Sequence, residues 1–509
     1  MAEVLLGQAY HLRFDPKLWA ARQPYPPLGA LYAAAVLRSA GHDVALHDSM
    51  LARAEEEWAR SLDRHRPAFA AVYEDSFNYL SKMCLARMRQ AALRMIAMAR
   101  ERGCTVVVAG SDATDDPEAY LAGGADHVVV GEGEVALREL LGALSGRAPR
   151  PVHEIDGLCF RNGGRLVRTR PRAPLRDLEA LPFPAWDLVD VAAYRAIWKR
   201  RHRFHSMNVA TTRGCPYHCN WCAKPIYGQR YAVRSPASVA REIAWLRAEY
   251  APDHLTFMDD IFGLKPGWVE ALAAALSDQG PPLPFKCLSR ADLLDDGVVR
   301  ALARAGCRTV WIGAESGSQK VLDAMEKGTT VEQIRAATRR LKATGIEVGF
   351  FLQFGYPGET REDVESTLDL VRECRPADVG VSVSYPLPGT GFYDRVRRQL
   401  GDKRHWNDSA DMSLMYRGPF PDAFYRTLYR VVHKELRLRR AVEGGSGPRA
   451  GGTPLRRGLR GRLAIAYHAA TLPLERRRLE RLAAAPHEGL PTLPPGLSPE
   501  SASRPTPQA

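Results

Sequence analysis

The residues in this sequence best equipped for chemistry are Cys215, Cys219 and Cys222, spaced Cys-x3-Cys-x2-Cys within Arg213-Gly214-Cys215-Pro216-Tyr217-His218-Cys219-Asn220-Trp221-Cys222. Three thiolates this close together suit a soft metal centre: an iron–sulfur cluster, zinc or copper(I). A cubane [4Fe–4S] cluster is normally held by four cysteines, so three leave one iron open to a small molecule. A structural zinc site wants four ligands, and His218 could supply the fourth. Adjacent residues such as His218 and Cys219 rarely point at one ion without strain, and no second ligand pair follows at zinc-binding spacing. The pattern favours the open cluster.

The elements around the cysteines must place them where a substrate can reach. From Asn208 to about 400 the sequence alternates strands (Asn208–Thr211, His254–Met258, Lys286–Leu288, Thr309–Ile312, Gly349–Gln353, Asp378–Ser384) with helices near 236–250, 266–278, 295–305, 318–326, 331–344 and 361–374. Six strands and their helices predict a partial (β/α)6 barrel. Barrel chemistry gathers at the C-terminal strand ends, and the cysteine loop follows the first strand. The later strand ends carry Met258-Asp259-Asp260, Leu288-Ser289-Arg290, Gly313-Ala314-Glu315-Ser316-Gly317-Ser318, Phe354-Gly355-Tyr356-Pro357-Gly358-Glu359 and Tyr385-Pro386-Leu387-Pro388. Glu359, Glu362 and Asp363 also read as the capping and first-turn acids of the helix they open.

Residues 1–147 show a second alternation. Strands at Val4–Leu6, Asp43–His47, Phe69–Tyr73, Thr105–Ala109 and His127–Val130 are separated by helical stretches, which predicts a parallel, doubly wound sheet. Its ligand end carries the loops Tyr73-Glu74-Asp75-Ser76, Ala109-Gly110-Ser111-Asp112 and Val130-Gly131-Glu132-Gly133-Glu134. The glycines there would let backbone approach a large flat ligand.

The cysteine run is similar to the signature of radical S-adenosylmethionine (SAM) enzymes, and the chain resembles that superfamily. The resemblance implies that Cys215, Cys219 and Cys222 hold a [4Fe–4S] cluster whose open iron binds the amino and carboxylate groups of SAM. Reduction, by a donor such as flavodoxin or ferredoxin, then cleaves SAM to methionine and a 5′-deoxyadenosyl radical. It puts Trp221 near the adenine and the Glu315-Ser316 run near SAM, and makes Asp259 and Asp260 receivers of the SAM amino group. Ser289 and Gly355, at neighbouring strand ends, join the implied cofactor-binding set.

Tyr25-Pro26-Pro27-Leu28-Gly29, Gly41-His42-Asp43 and the Gly131-Glu132-Gly133-Glu134 turn resemble the cobalamin-binding domain that precedes the barrel in one large subclass. The implied cobalamin-binding residues are Tyr73, Gly110, Ser111, Gly131 and Glu132. The Asp-x-His-x-x-Gly signature of a histidine lower ligand is missing, which leaves cobalamin bound without a protein histidine, or a vestigial domain. The activity implied is C-methylation of an unactivated carbon on a small molecule or lipid. One SAM would methylate cobalamin, and a second would supply the radical. The alternative is a cyclase, oxidase or rearrangement enzyme like the anaerobic porphyrin cyclase, without methyl transfer. A zinc-stabilised binding module is the reading from a different class.

Length and composition agree with a multidomain α/β enzyme. At 509 residues the chain exceeds what one core supports. The expected division is a Rossmann-like domain over 1–147, a linker over 148–195, the barrel over 196–400, a helical cap over 401–443 and a basic, disordered tail over 444–509 with a short amphipathic helix at 462–484. No apolar run reaches membrane-spanning length and the N-terminus lacks signal-peptide features, so a cytoplasmic location is expected. The six other cysteines have no framework spacing and read as buried small side chains. The net charge of +13 is concentrated after Arg426. Without an aromatic-interleaved basic face it does not indicate nucleic acid; it reads as solvation, with room for a weak membrane-surface contact by the tail.

Overall fold

The computed structural model describes residues 2–77, 86–224, 226–403, 412–442 and 459–485. Strands β1 (Val4–Gly7), β2 (Val44–His47), β3 (Phe69–Tyr73), β4 (Thr105–Ala109) and β5 (His127–Val129) form a parallel sheet in the order β2-β1-β3-β4-β5. These are short apolar runs, and most of their residues are buried, as parallel strands covered on both faces require. Successive side chains alternate between faces. Leu5, Val72 and Val108 share one core with α2 (Glu56–His65) and α3 (Ala86–Arg100), while Leu6, Ala71 and Val107 share another with α1 (Leu28–Ser39) and α4 (Glu134–Leu144).

The segment expected as a linker is partly built into this sheet. β6 (Leu158–Asn162) and β7 (Arg165–Arg168) form a hairpin that pairs antiparallel with β5, giving seven strands. The paired Gly163-Gly164, both with positive φ, makes the turn that proline-rich neighbours concealed. Helix α5 (Val191–His202) then joins both halves: Trp198 donates to the Pro24 carbonyl at 2.8 Å, and Tyr194 to Asp48 at 2.7 Å.

The second sheet holds six parallel strands in the order β8-β11-β12-β13-β14-β15: Ser206–Val209, His254–Phe257, Phe285–Ser289, Cys307–Glu315, Glu347–Phe354 and Asp378–Val383. Helices α6 (Pro236–Tyr250), α7 (Trp268–Ser277), α8 (Asp296–Ala305), α9 (Val331–Ala343) and α10 (Arg361–Cys374) connect them. No pairing joins β15 to β8, so the barrel is partial. Between β8 and α6 lie β9 (Thr212–Arg213) and β10 (Ala232–Val233), a two-residue antiparallel ribbon that closes the neck of the cysteine loop. Both units contribute to one continuous core: Tyr10, Leu31 and Phe77 from the first meet Met207, Ile226 and Tyr227 from the second.

Of the expected cap, α11 (Asp422–Val442) is present; Trp406 lies outside the described residues, as do 443–458 and 486–509, where disorder was expected. The amphipathic helix read at 462–484 is α12 (Leu459–Ala484), packed on α11 through Arg430–Glu475 (2.9 Å) and Arg476–Glu435 (2.6 Å). Among the described residues no helix is long and apolar enough to cross a membrane.

Candidate functional site

The cysteine loop is held at its neck and in its middle. Gly214 has φ +79°, and a side chain there would collide with the Arg230 carbonyl across the β9–β10 neck, so only glycine fits. In the middle, Asn220 donates to the Ala324 carbonyl at 2.8 Å and accepts from the Tyr356 hydroxyl at 2.8 Å, tying the loop to the end of the helix Gln319–Ala324 and to the turn after β14. Cys215, Cys219 and Cys222 are half-buried, and His218 beside them is exposed. Among the described residues no three His, Cys, Asp or Glu side chains converge on one point. Burial pushes the Cys222 thiol up to about 12, against the pull of Lys224, and raises Cys215 as well. The Trp221 indole N–H is buried with no partner among the described residues.

The acids divide sharply. Asp259 is buried and accepts from Thr211 N–H (2.7 Å), Thr211 Oγ1–H (2.6 Å) and Thr212 N–H (2.8 Å), so its carboxylate ties the end of β11 to the β8–β9 junction. Burial raises it to about 6, against the threonine hydrogen bonds. Asp260 is exposed, and its charge acts on Cys215 and Cys222. Asp259→Ala, which strands two buried N–H groups, is expected to lower unfolding stability by about 2–4 kcal/mol in denaturant titrations.

Glu315 ends β13 with φ +58° and pairs with buried Lys327 at 2.8 Å. Burial works against the lysine's charge, but Glu315 and Cys219 outweigh it and its pKa is raised. The ammonium sits 5.9 Å over the Trp221 ring, beside the cysteines. Ser289 and Ser316 are spoken for: Ser289 donates to the Phe262 carbonyl at 3.2 Å, and Ser316 is linked to Thr367 of α10 at 3.1 Å.

Gly355 lies under the cap, its carbonyl accepting from Tyr416 and its N–H donating to Glu359 at 2.6 Å. Glu359 therefore folds back on its own loop, while Thr360 and Asp363 form the capping box of α10. Burial pushes Glu359 up to about 8, against the Gly355 hydrogen bond. The fold favours the neutral acid, so its stabilisation is complete below the unfolded value near 4.5 and is lost as pH rises through 8. Glu359→Gln should be close to neutral at pH 5 and more stable than the parent by on the order of 1–2 kcal/mol at pH 9, read from unfolding midpoints.

The ligand end of the first sheet faces this loop. Arg213, one residue before Gly214, is buried between Glu132 and Glu134 (2.8 Å to the latter), both in the turn after β5. Tyr32, Phe77 and Tyr227 surround the guanidinium at 5.3–5.4 Å. Burial opposes the arginine's charge, but Glu134 and Glu132 outweigh it and hold its pKa well above the ordinary value. Glu132 also accepts from the Leu175 N–H at 2.5 Å, and Tyr73 is buried against Gly133. Thus Tyr73 and Glu132, read as ligand-facing, close the joint between the two sheets. Gly110 (φ +150°) is required because a Cβ would lie 2.6 Å from Glu74 Cβ, which is loop packing rather than ligand approach. The Gly131 N–H donates to Thr114 at 3.0 Å.

A polar ligand still has unclaimed groups here. Both amide atoms of Gln8, after β1, and the hydroxyl of Ser111, after β4, are buried without partners among the described residues. Gln8 lies at the β1–β3 switch point of the strand order, where such sheets bind ligands, and Ser111 lies at the same C-terminal end of the sheet after β4; both fit the polar periphery of a large cofactor. Sequence reasoning missed Arg213, Glu134, Lys327 and Gln8. Arg213 could have been found by its position against the cysteine run; Lys327 carries no local signal.

Comparison with known proteins agrees with this geometry. The family model of the radical SAM superfamily matches residues 209–371, and that of the B12 binding domain matches residues 19–141. An uncharacterized methyltransferase of Pyrococcus horikoshii is 28% identical over 72% of this chain and 78% of its own. An anaerobic magnesium-protoporphyrin IX monomethyl ester cyclase of Synechocystis is 24% identical over 64% of each chain. Among solved structures, the radical SAM methyltransferase TsrM from Kitasatospora setae, with cobalamin and a [4Fe–4S] cluster bound, matches with a TM-score of 0.63 at 22% identity, covering 80% of this chain and 76% of that one. OxsB, a cobalamin-dependent SAM radical enzyme with aqua-cobalamin and SAM bound, matches with a TM-score of 0.71 at 16% identity, covering 94% and 72%. At these identities the two structures establish the fold.

Proposed function

We propose, from the premise that this chain belongs to the radical SAM superfamily and carries a B12-binding domain ahead of its barrel, that it methylates an unactivated carbon. The observation that carries the reading is the Arg213–Glu132–Glu134 joint, which fixes the start of the cysteine loop against the ligand end of the first sheet. A radical methyl transfer needs two cofactors at one dry boundary, and this joint with its aromatic collar provides the boundary. When bound, the cluster with SAM supplies a hydrogen-abstracting radical, and cobalamin supplies the methyl group.

The chain's own residues supply position and charge. Cys215, Cys219 and Cys222 would hold the cluster, and Trp221 offers its N–H beside it. Asp260, exposed at the end of β11 with its charge acting on Cys215 and Cys222, suits the SAM amine, while Glu315 serves by holding Lys327 in place. Gln8 and Ser111, with Gly131 nearby, would meet the cobalamin. Asp260→Asn is expected to weaken SAM binding roughly ten-fold, the worth of one charge-assisted contact; unchanged affinity would remove Asp260 from the site.

The test of the reaction uses SAM with a deuterated methyl group, a reductant and extracts holding candidate substrates. Methyl transfer gives a product carrying the label, with S-adenosylhomocysteine and 5′-deoxyadenosine both accumulating. The cyclase relative makes a second reading worth separating: 5′-deoxyadenosine without S-adenosylhomocysteine above background would favour it and overturn methyl transfer.

A further inference from the structure

Helix α12 has two apolar faces where packing needs one. Its inner face, with Leu472, Leu479 and Leu482, packs into the core beside α11. On the outer face Leu463, Tyr467 and Leu474 are 60%, 60% and 61% exposed. Among the described residues only five large hydrophobic side chains are exposed, and three of them lie on this stripe. At 100° per residue, positions 463, 467, 470 and 474 fall on one face, and Arg477, Arg478 and Arg481 continue it.

The charges on this helix are sorted by face. Arg476, turned inward, pairs with Glu435 at 2.6 Å. Arg477, Arg478 and Arg481 are exposed, and no carboxylate among the described residues pairs with them. An apolar stripe that runs into unpaired arginines matches the two layers of an anionic bilayer surface, acyl boundary and headgroups. A second copy of the chain would bring arginines against arginines along the same stripe. We infer that the outer face of α12 docks reversibly on anionic lipid surfaces. Glu480 lies 4.0 Å from Arg361 at the start of α10, so the basic end of the helix stands on the side of the barrel's C-terminal strand ends. The inference does not depend on which reaction the barrel performs.

The test is sedimentation of the full-length protein with phosphatidylcholine vesicles, with and without phosphatidylglycerol, at low and at about 0.5 M salt. Binding is expected only to the anionic vesicles and should weaken with salt. Each basic side chain at such a surface is worth roughly a five-fold gain in affinity, so the triple change Arg477→Ala, Arg478→Ala and Arg481→Ala should lower it on the order of 100-fold. Leu463→Ser with Tyr467→Ser and Leu474→Ser should abolish binding that survives the higher salt. The arginine and leucine side chains are exposed, so their changes should leave the unfolding midpoint unchanged; Tyr467 also lies under Lys434 (5.4 Å), so Leu463→Ser with Leu474→Ser alone serves as the fold-neutral control. Equal affinity for neutral vesicles, or none for anionic ones, overturns the inference. So does a dimer in sedimentation velocity that the serine variant converts to monomer while vesicles are ignored.

Discussion

Replacing Cys215, Cys219 or Cys222 singly by alanine is expected to abolish the brown iron–sulfur chromophore and all reductive cleavage of SAM, with iron falling from about four per chain towards zero. Cubane assembly on three thiolates leaves no redundancy, because His218, the one other ligand-type side chain in the run, is exposed while the three cysteines are half-buried. Cys104→Ala and Cys307→Ala should do neither. Both are buried; Cys104 donates to the Pro67 carbonyl at 3.3 Å and Cys307 to the Thr309 carbonyl at 3.6 Å, in the role of small core side chains. Iron and sulfide analysis with anaerobic absorbance checks the set. A reducible cluster retained in any one of the first three variants would remove that residue from the ligand set.

Arg213→Met should cost about 3–5 kcal/mol, the penalty for leaving a buried pair uncompensated. Here two carboxylates, Glu132 and Glu134, would face each other with no cation between them. Glu132 is already raised by burial with the arginine opposing, so the variant should push it higher. A raised acid lends stability at low pH and loses it as pH climbs; the defect should therefore be worst near pH 8 and shrink towards pH 5. Adding Glu132→Gln and Glu134→Gln should recover part of the loss, since the uncompensated charges are then gone. Guanidinium unfolding measures both, and limited proteolysis should show the first sheet released from the barrel in the single variant alone. Equal stability of Arg213→Met and the parent would mean that the aromatic collar, not the ion pairs, holds the joint.

The two predictions sample different sources of information. Everything about the cysteines was local: Cys-x3-Cys-x2-Cys brings three thiolates together through eight residues of chain, whatever the rest does. The strands were legible for a similar reason. Parallel strands buried on both faces are continuous apolar runs, and Phe69–Tyr73, Thr105–Ala109 and His254–Phe257 stand out as such. The hairpin β6–β7 was not legible, because Leu158–Asn162 and Arg165–Arg168 are half polar and their pairing with β5 is settled across the fold.

Adjacent residues with the same letter received opposite duties only in three dimensions. Asp259 and Asp260 are alike in sequence, but in the turn after β11 the first is buried on Thr211 and Thr212 while the second stands exposed by the cysteines. Glu132 and Arg213 are 81 positions apart, and Glu315 finds Lys327 across a helix. Sequence alone determined which chemistry the chain can hold, because ligand type and spacing are local. Tertiary structure decided which carboxylates remain available to it, because a buried charge is committed to whichever opposite charge or donor the fold brings within reach.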